Sequence, residues 1–141
     1  MGKRSYIMYN ITLLFTFHGE LGNCNTDELL KIIESISPDV IFEELSPALF
    51  YRSYNGNQFP CEPPEIKSIK RYIQNHSIQH VPVDIDENQS LSTRDIKYMF
   101  DAFQKYDVYR KLEDERYKMT EQYGYAFLNS KKYAELFEKM Q

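Results

Sequence analysis

Asp39-Val-Ile-Phe-Glu-Glu-Leu45, which follows directly on Ser37-Pro38, decides the fold. The stretch is β-branched and apolar up to its two acidic positions, which predicts a buried strand. Ser37-Pro38 ends a helix before it, because the residue preceding proline avoids the helical region. That helix opens at Asn25, three residues before Glu28, the spacing of a capping box with Asn in place of Ser or Thr. Leu29, Leu30, Ile33 and Ile36 share one of its faces. Further upstream, Ile11–Phe17 is β-branched, aromatic and mostly apolar on both faces, and it reads as another buried strand, ended by His18-Gly19. Strand, helix and strand within about 35 residues make a βαβ unit with parallel strands.

Downstream, Ser46 is placed as an N-cap with Pro47 at the first position of a short helix reaching about Tyr51. Asn55–Pro60 carries Asn-Gly and lacks periodicity, so it is a loop. Glu62-Pro-Pro-Glu65 opens a helix with Ile66, Ile69, Tyr72 and Ile73 on one side. Gln79–Ile85 then reads as a third parallel strand, and Pro82 within it favours an edge or a bulge. After Asn88 the character changes. Ser92-Thr-Arg-Asp95 has capping-box spacing. Ile96, Met99, Phe100, Phe103, Tyr106, Tyr109 and Leu112 then predict one long amphipathic helix to about Thr120, with this stripe in the core. Asp107/Lys111 and Arg110/Asp114 form i,i+4 pairs on its outer side, and Gly124 breaks it. Asn129 or Ser130 caps a last helix with Tyr133, Leu136 and Phe137. The expected fold is α/β: a small, mainly parallel sheet of three or more strands flanked by helices, with a helical C-terminal third. Residues 1–141 form a single domain, with 1–90 as the βαβαβ part and 91–141 as the helical part.

Composition narrows the function classes. The 141 residues suffice for one real core. With 17 basic and 21 acidic side chains the net charge is −4 and no basic face is visible, so no nucleic-acid partner is expected. Residues 1–93 hold 7 basic and 12 acidic side chains, net −5, while the remainder is net +1. No apolar run is long enough to span a bilayer, so no membrane association is expected. Lys3-Arg4 before the apolar Ile7–Phe17 mimics a signal peptide, but Asn10, Thr12 and Thr16 interrupt it and no small-residue cleavage site follows. The two cysteines, Cys24 and Cys61, make no disulfide framework, and a cytoplasmic protein with reduced thiols is expected.

The three expected strands end in His18, in Glu43-Glu44, and in Asp84 and Asp86. Ligands of open α/β sheets bind beyond the carboxyl ends of the strands. An imidazole and several carboxylates therefore converge at one edge, with Glu20 in the adjoining loop. Such a set suits general acid/base catalysis or a mixed nitrogen/oxygen metal site. Glu43 and Asp86 are read as solvated strand ends, and His76 and His80 as surface or boundary residues. Cys24 fits a nucleophile with His18 as base, but a small buried packing residue is the commoner role. Tyr51, Tyr54 and Phe59 lie in the stretch after the second strand, where they line a pocket wall or simply pack. Gly19 and Gly22 are too few and wrongly spaced for a phosphate loop.

Thr16-Phe-His-Gly19, then Ser37-Pro-Asp-Val-Ile-Phe-Glu-Glu-Leu45, then His80-Val-Pro-Val-Asp84 resembles the TraB/GumN and erythromycin-esterase/ChaN-like superfamily over about residues 10–90. The resemblance implies a hydrolase of ester or peptide bonds, in some members metal-dependent. It matches His18 to the motif histidine, Glu44 to the motif glutamate and Asp84 to the acidic residue ending the third strand. Phe15 stands where the family usually has Gly, and no second Gly-x-x-His motif is present. His18, Glu44 and Asp84 are thus the expected catalytic residues and the expected ligands of a divalent Mn, Zn or Co ion. Glu20, Tyr51 and Tyr54 are the expected contacts to a small-molecule or peptide substrate. The alternative is a non-catalytic ligand-binding or regulatory protein. The shortness of the sheet leaves room for completion by a second subunit, as in a homodimer.

Overall fold

A computed structural model describes residues 9–56, 62–85 and 92–141. Among them are six helices and two four-residue strands. α1 is Thr26–Ile36, β1 Val40–Glu43, α2 Pro47–Asn55, α3 Pro64–Ile73, β2 Gln79–Pro82, α4 Thr93–Phe103, α5 Asp107–Leu128 and α6 Lys131–Met140. The predicted α/β sheet of three or more strands is therefore corrected: the molecule is mostly helical, with one parallel pair in the register Val40↔Gln79 to Glu43↔Pro82. Ile11–Phe17 is not a strand. Ile11, Leu13 and Phe15 are exposed, Ile11 to 90%, so this apolar run does not lie inside a sheet. Among the described residues its main chain is anchored by the Asn129 amide, which accepts from Phe15 N at 2.7 Å and donates to Phe15 O at 3.0 Å.

Local chemistry explains the helix starts. Asn25 accepts from Glu28 N, Ser46 from Leu49 N and Ser130 from Tyr133 N, each satisfying a donor that a helix start leaves unpaired. Ser92 and Asp95 complete a reciprocal capping box. α2 runs to Asn55, a turn beyond the predicted end. The expected long helix is two, α4 and α5, separated at Gln104–Tyr106. Most of its stripe is not core either: no residue of α4 is buried, and Ile96, Met99, Phe100, Phe103 and Tyr106 remain exposed, while Leu112 packs against the core. The expected Asp107/Lys111 and Arg110/Asp114 pairs give way to an i,i+3 pair between Arg110 and Asp107.

The core lies elsewhere. Leu29 and Ile33 of α1 pack against Ile69 and Tyr72 of α3, with Tyr125, Phe127 and Leu128 from the end of α5, Leu136 of α6, and Cys24. Ser68, fully buried on α3, ties the two helices by donating to Thr26 O at 2.9 Å and to Pro64 O at 2.7 Å. α5 bends rather than ends at Gly124, whose φ of 55° and ψ of −139° are non-helical. This kink, and the loop from His18 to Asn25 that docks on it, position the site.

Candidate functional site

An extended chain alternates its side chains, so residues two apart share a side. Over Thr16-Phe17-His18 this sends Phe17 toward the core, edge-on to Tyr117 with ring centroids 5.9 Å apart. Thr16 and His18 both reach Glu65, in the first turn of α3. Thr16 Oγ1 donates to Glu65 Oε1 at 2.7 Å, and His18 Nδ1 lies 2.9 Å from the same oxygen. The Glu65 side chain is only 13% exposed and that of His18 is 85% exposed. A carboxylate at a helix N-terminus is favoured by the helix dipole. The pair is thus a nearly buried acid holding one nitrogen of a solvent-facing imidazole. Glu65 Oε2 is buried with no hydrogen-bond partner among the described residues.

The loop beyond His18 is firmly built. Leu21 and Cys24 exchange backbone bonds at 2.8 Å around Gly22, which sits at φ 54°. Asn23 N donates to Glu121 O at 2.9 Å and Asn23 Nδ2 to Gln122 O at 2.7 Å, carbonyls at the kink of α5. Glu20 accepts from Thr26 Oγ1 at 2.7 Å and faces Lys67 at 3.4 Å. The Thr26 hydroxyl first, and then Lys67, hold the Glu20 carboxyl below its ordinary value. Glu20 also lines an open groove of about 570 Å³ with Asp27, Glu62, Lys67, Lys70 and Arg71. The groove's cations are paired across it: Lys67 with Glu20, Lys70 with Glu62 and Arg71 with Asp27.

Glu44 and Asp84 are exposed, and no hydrogen bond or ion pair joins either to His18; Asp84 instead accepts from the Ile85 N–H at 2.8 Å. No group of three His, Cys, Asp or Glu among the described residues is arranged to hold a metal ion, so the expected His18/Glu44/Asp84 ligand set does not fit a bound divalent ion. Tyr51 is exposed. Cys24 is fully buried, and burial pushes its thiol above the ordinary range, which suits a packing residue and not a nucleophile. Asp86, Phe59 and Cys61 lie outside the described residues.

A second cluster surrounds Glu43, which was expected to be a solvated strand end and is buried. Glu43 Oε2 accepts from Tyr54 Oη at 2.8 Å and lies 2.7 Å from His80 Nε2. The His80 ring meets Phe50 and Tyr54 edge-on, each with a centroid separation of 4.6 Å. Tyr54 is therefore engaged within the fold. The signal was present in the sequence as parity: Ile41 pairs with His80 across parallel strands, so Glu43, two residues from Ile41, shares that face. The His80 and Glu43 side chains are 9% and 8% exposed, so the cluster is buried where the sheet meets α2.

Burial first, and then the Glu43 carboxylate, raise the Tyr54 hydroxyl well above the ordinary tyrosine value of 10.0. Burial and Cys24 do the same for Tyr125. Above that ordinary value the unfolded chain binds fewer protons than the folded one, so stability is present below it and falls as pH rises. Melting temperature is expected to decline between about pH 9 and about pH 11, and less steeply in Tyr54→Phe/Tyr125→Phe. Equal slopes in variant and wild type would contradict this assignment.

No family model matches the chain, and no curated protein or solved structure shows significant similarity to it.

Proposed function

We propose that this chain is a hydrolase acting on an ester or peptide bond, with His18 as general base and Glu65 as the group that orients it. The observation that carries the reading is the Glu65 carboxylate, 2.9 Å from Nδ1 of an imidazole that otherwise faces solvent. An ionised carboxylate only accepts, so Nδ1 carries the proton and Nε2 presents its lone pair outward. Nε2 then takes a proton from water as the water oxygen bonds to the substrate carbonyl. The resulting imidazolium is stabilised by Glu65 and returns the proton to the departing alkoxide or amine. The groove beginning at Glu20 offers both signs of charge to the rest of a peptide-like substrate.

The openness of His18 favours a second reading, a non-catalytic binding protein, because among the described residues its ring is open to water. Hydrolysis of a panel of chromogenic esters and peptide anilides separates the two. His18→Ala is expected to lose about 10²–10⁴-fold in rate. An exposed side chain contributes little to stability, so its melting temperature is expected to stay within about 2 °C of wild type. A wild-type rate no greater than that of His18→Ala across the panel would overturn the hydrolase reading.

A further inference from the structure

We propose that Thr16 is a positioning residue that selects the Nδ1-protonated tautomer of His18 through Glu65. The inference rests on the general-base reading of His18 but is measurable without turnover. Thr16 Oγ1 and His18 Nδ1 converge on one atom, Glu65 Oε1, at 2.7 and 2.9 Å. The Thr16 hydroxyl donates to that oxygen and so holds it beside the imidazole nitrogen. The other carboxylate oxygen is buried with no hydrogen-bond partner among the described residues. The Thr16 hydroxyl therefore settles which oxygen faces the imidazole and in what plane. An ionised carboxylate has no proton to give, so the oxygen that Thr16 holds against His18 can only accept. The proton between them must belong to Nδ1, which leaves Nε2 free to accept.

The geometry comes directly from the sequence. Thr16 and His18 are two apart in the chain, with Phe17 turned into the core between them. Valine matches threonine in shape while lacking the hydroxyl. Thr16→Val thus removes the donor and little else. Thr16→Ser restores it.

The test uses the full chain labelled with ¹⁵N-histidine, with the His18 signals assigned by their loss in His18→Gln. In long-range ¹H–¹⁵N spectra of the neutral imidazole, wild type and Thr16→Ser are expected to carry the His18 proton on Nδ1. Thr16→Val is expected to shift population toward Nε2-protonated His18. In the hydrolysis assay, Thr16→Val is expected to lower kcat about tenfold with KM nearly unchanged, as for an interaction that matters only in the transition state. A tautomer population in Thr16→Val equal to that of wild type overturns the inference, and it does so even if His18→Ala has lost activity. A tautomer shift in a protein with no His18-dependent turnover supports the positioning role while removing the hydrolase reading.

Discussion

Gly124→Ala is expected to destabilise the protein by about 3 kcal/mol or more, a fall in melting temperature of roughly 10 °C. Gly124 has φ 55° and ψ −139°, a conformation that a side chain resists. A Cβ placed there would lie 2.4 Å from Asn23 O and 2.7 Å from Asn23 C, both backbone atoms that a rotamer change cannot move. Backbone strain alone costs about 1–3 kcal/mol. Relief of the clash would separate Asn23 from the Glu121 and Gln122 carbonyls it caps, at about 1 kcal/mol for each hydrogen bond. Gly22 faces the kink in return, since a Cβ on it would meet Glu121 O at 2.4 Å. Gly19→Ala is the control. Its Cβ would meet only the Phe17 ring, at 3.4 Å, so a change within about 1 kcal/mol is expected. Urea unfolding of the two variants gives the comparison, and equal midpoints would contradict the view that the site loop is clamped by the kink.

The second large effect is on turnover. Glu65→Gln is expected to lower kcat by about 10²–10⁴-fold. The amide keeps the shape but not the charge, so it no longer stabilises an imidazolium. Its NH₂ can also donate to His18, which would place the imidazole proton on Nε2 and block the base. Thr16 would then have to find the amide oxygen, in competition with His18, on an atom that now carries no charge. Initial rates on the best substrate of the ester panel measure the loss, and a rate within about twofold of wild type would remove Glu65 from the mechanism.

The sequence made the helices legible because their starts are written locally. Asn25, Ser46, Ser92 and Ser130 are short polar acceptors at the heads of apolar periods, and all four cap in the structure. The crossover through α2 and α3 likewise made Val40–Glu43 and Gln79–Pro82 parallel. Pairing is a different matter. Ile11–Phe17 has the composition of a buried strand, yet a strand exists only where another backbone pairs with it, and no local pattern supplies that. The break between α4 and α5 falls at Gln104-Lys105-Tyr106, which contains neither glycine nor proline. Gly124 was legible as a disruption, but its outcome was a kink because the Asn23 donors occupy the carbonyls beside it.

The site was half legible. His18 and Glu20 stood out at the end of an apolar run, where polar chemistry is unexpected. Glu65 did not, because an acidic residue in the first turn of a helix has an ordinary reason to be there, and 47 positions separate it from His18. Taken singly, Glu43 reads as a solvated strand end and His80 as a surface or boundary residue. Each is costly to bury alone, and only the strand register shows that they are buried together.

A kinetic cycle over His18 and Glu65 reads whether the carboxylate acts through the imidazole. Rates are compared for wild type, His18→Ala, Glu65→Gln and the double variant. Groups that act as one unit are strongly non-additive. The double variant is expected to be no slower than His18→Ala. Losses that multiply, or the absence of any His18-dependent rate, would contradict it.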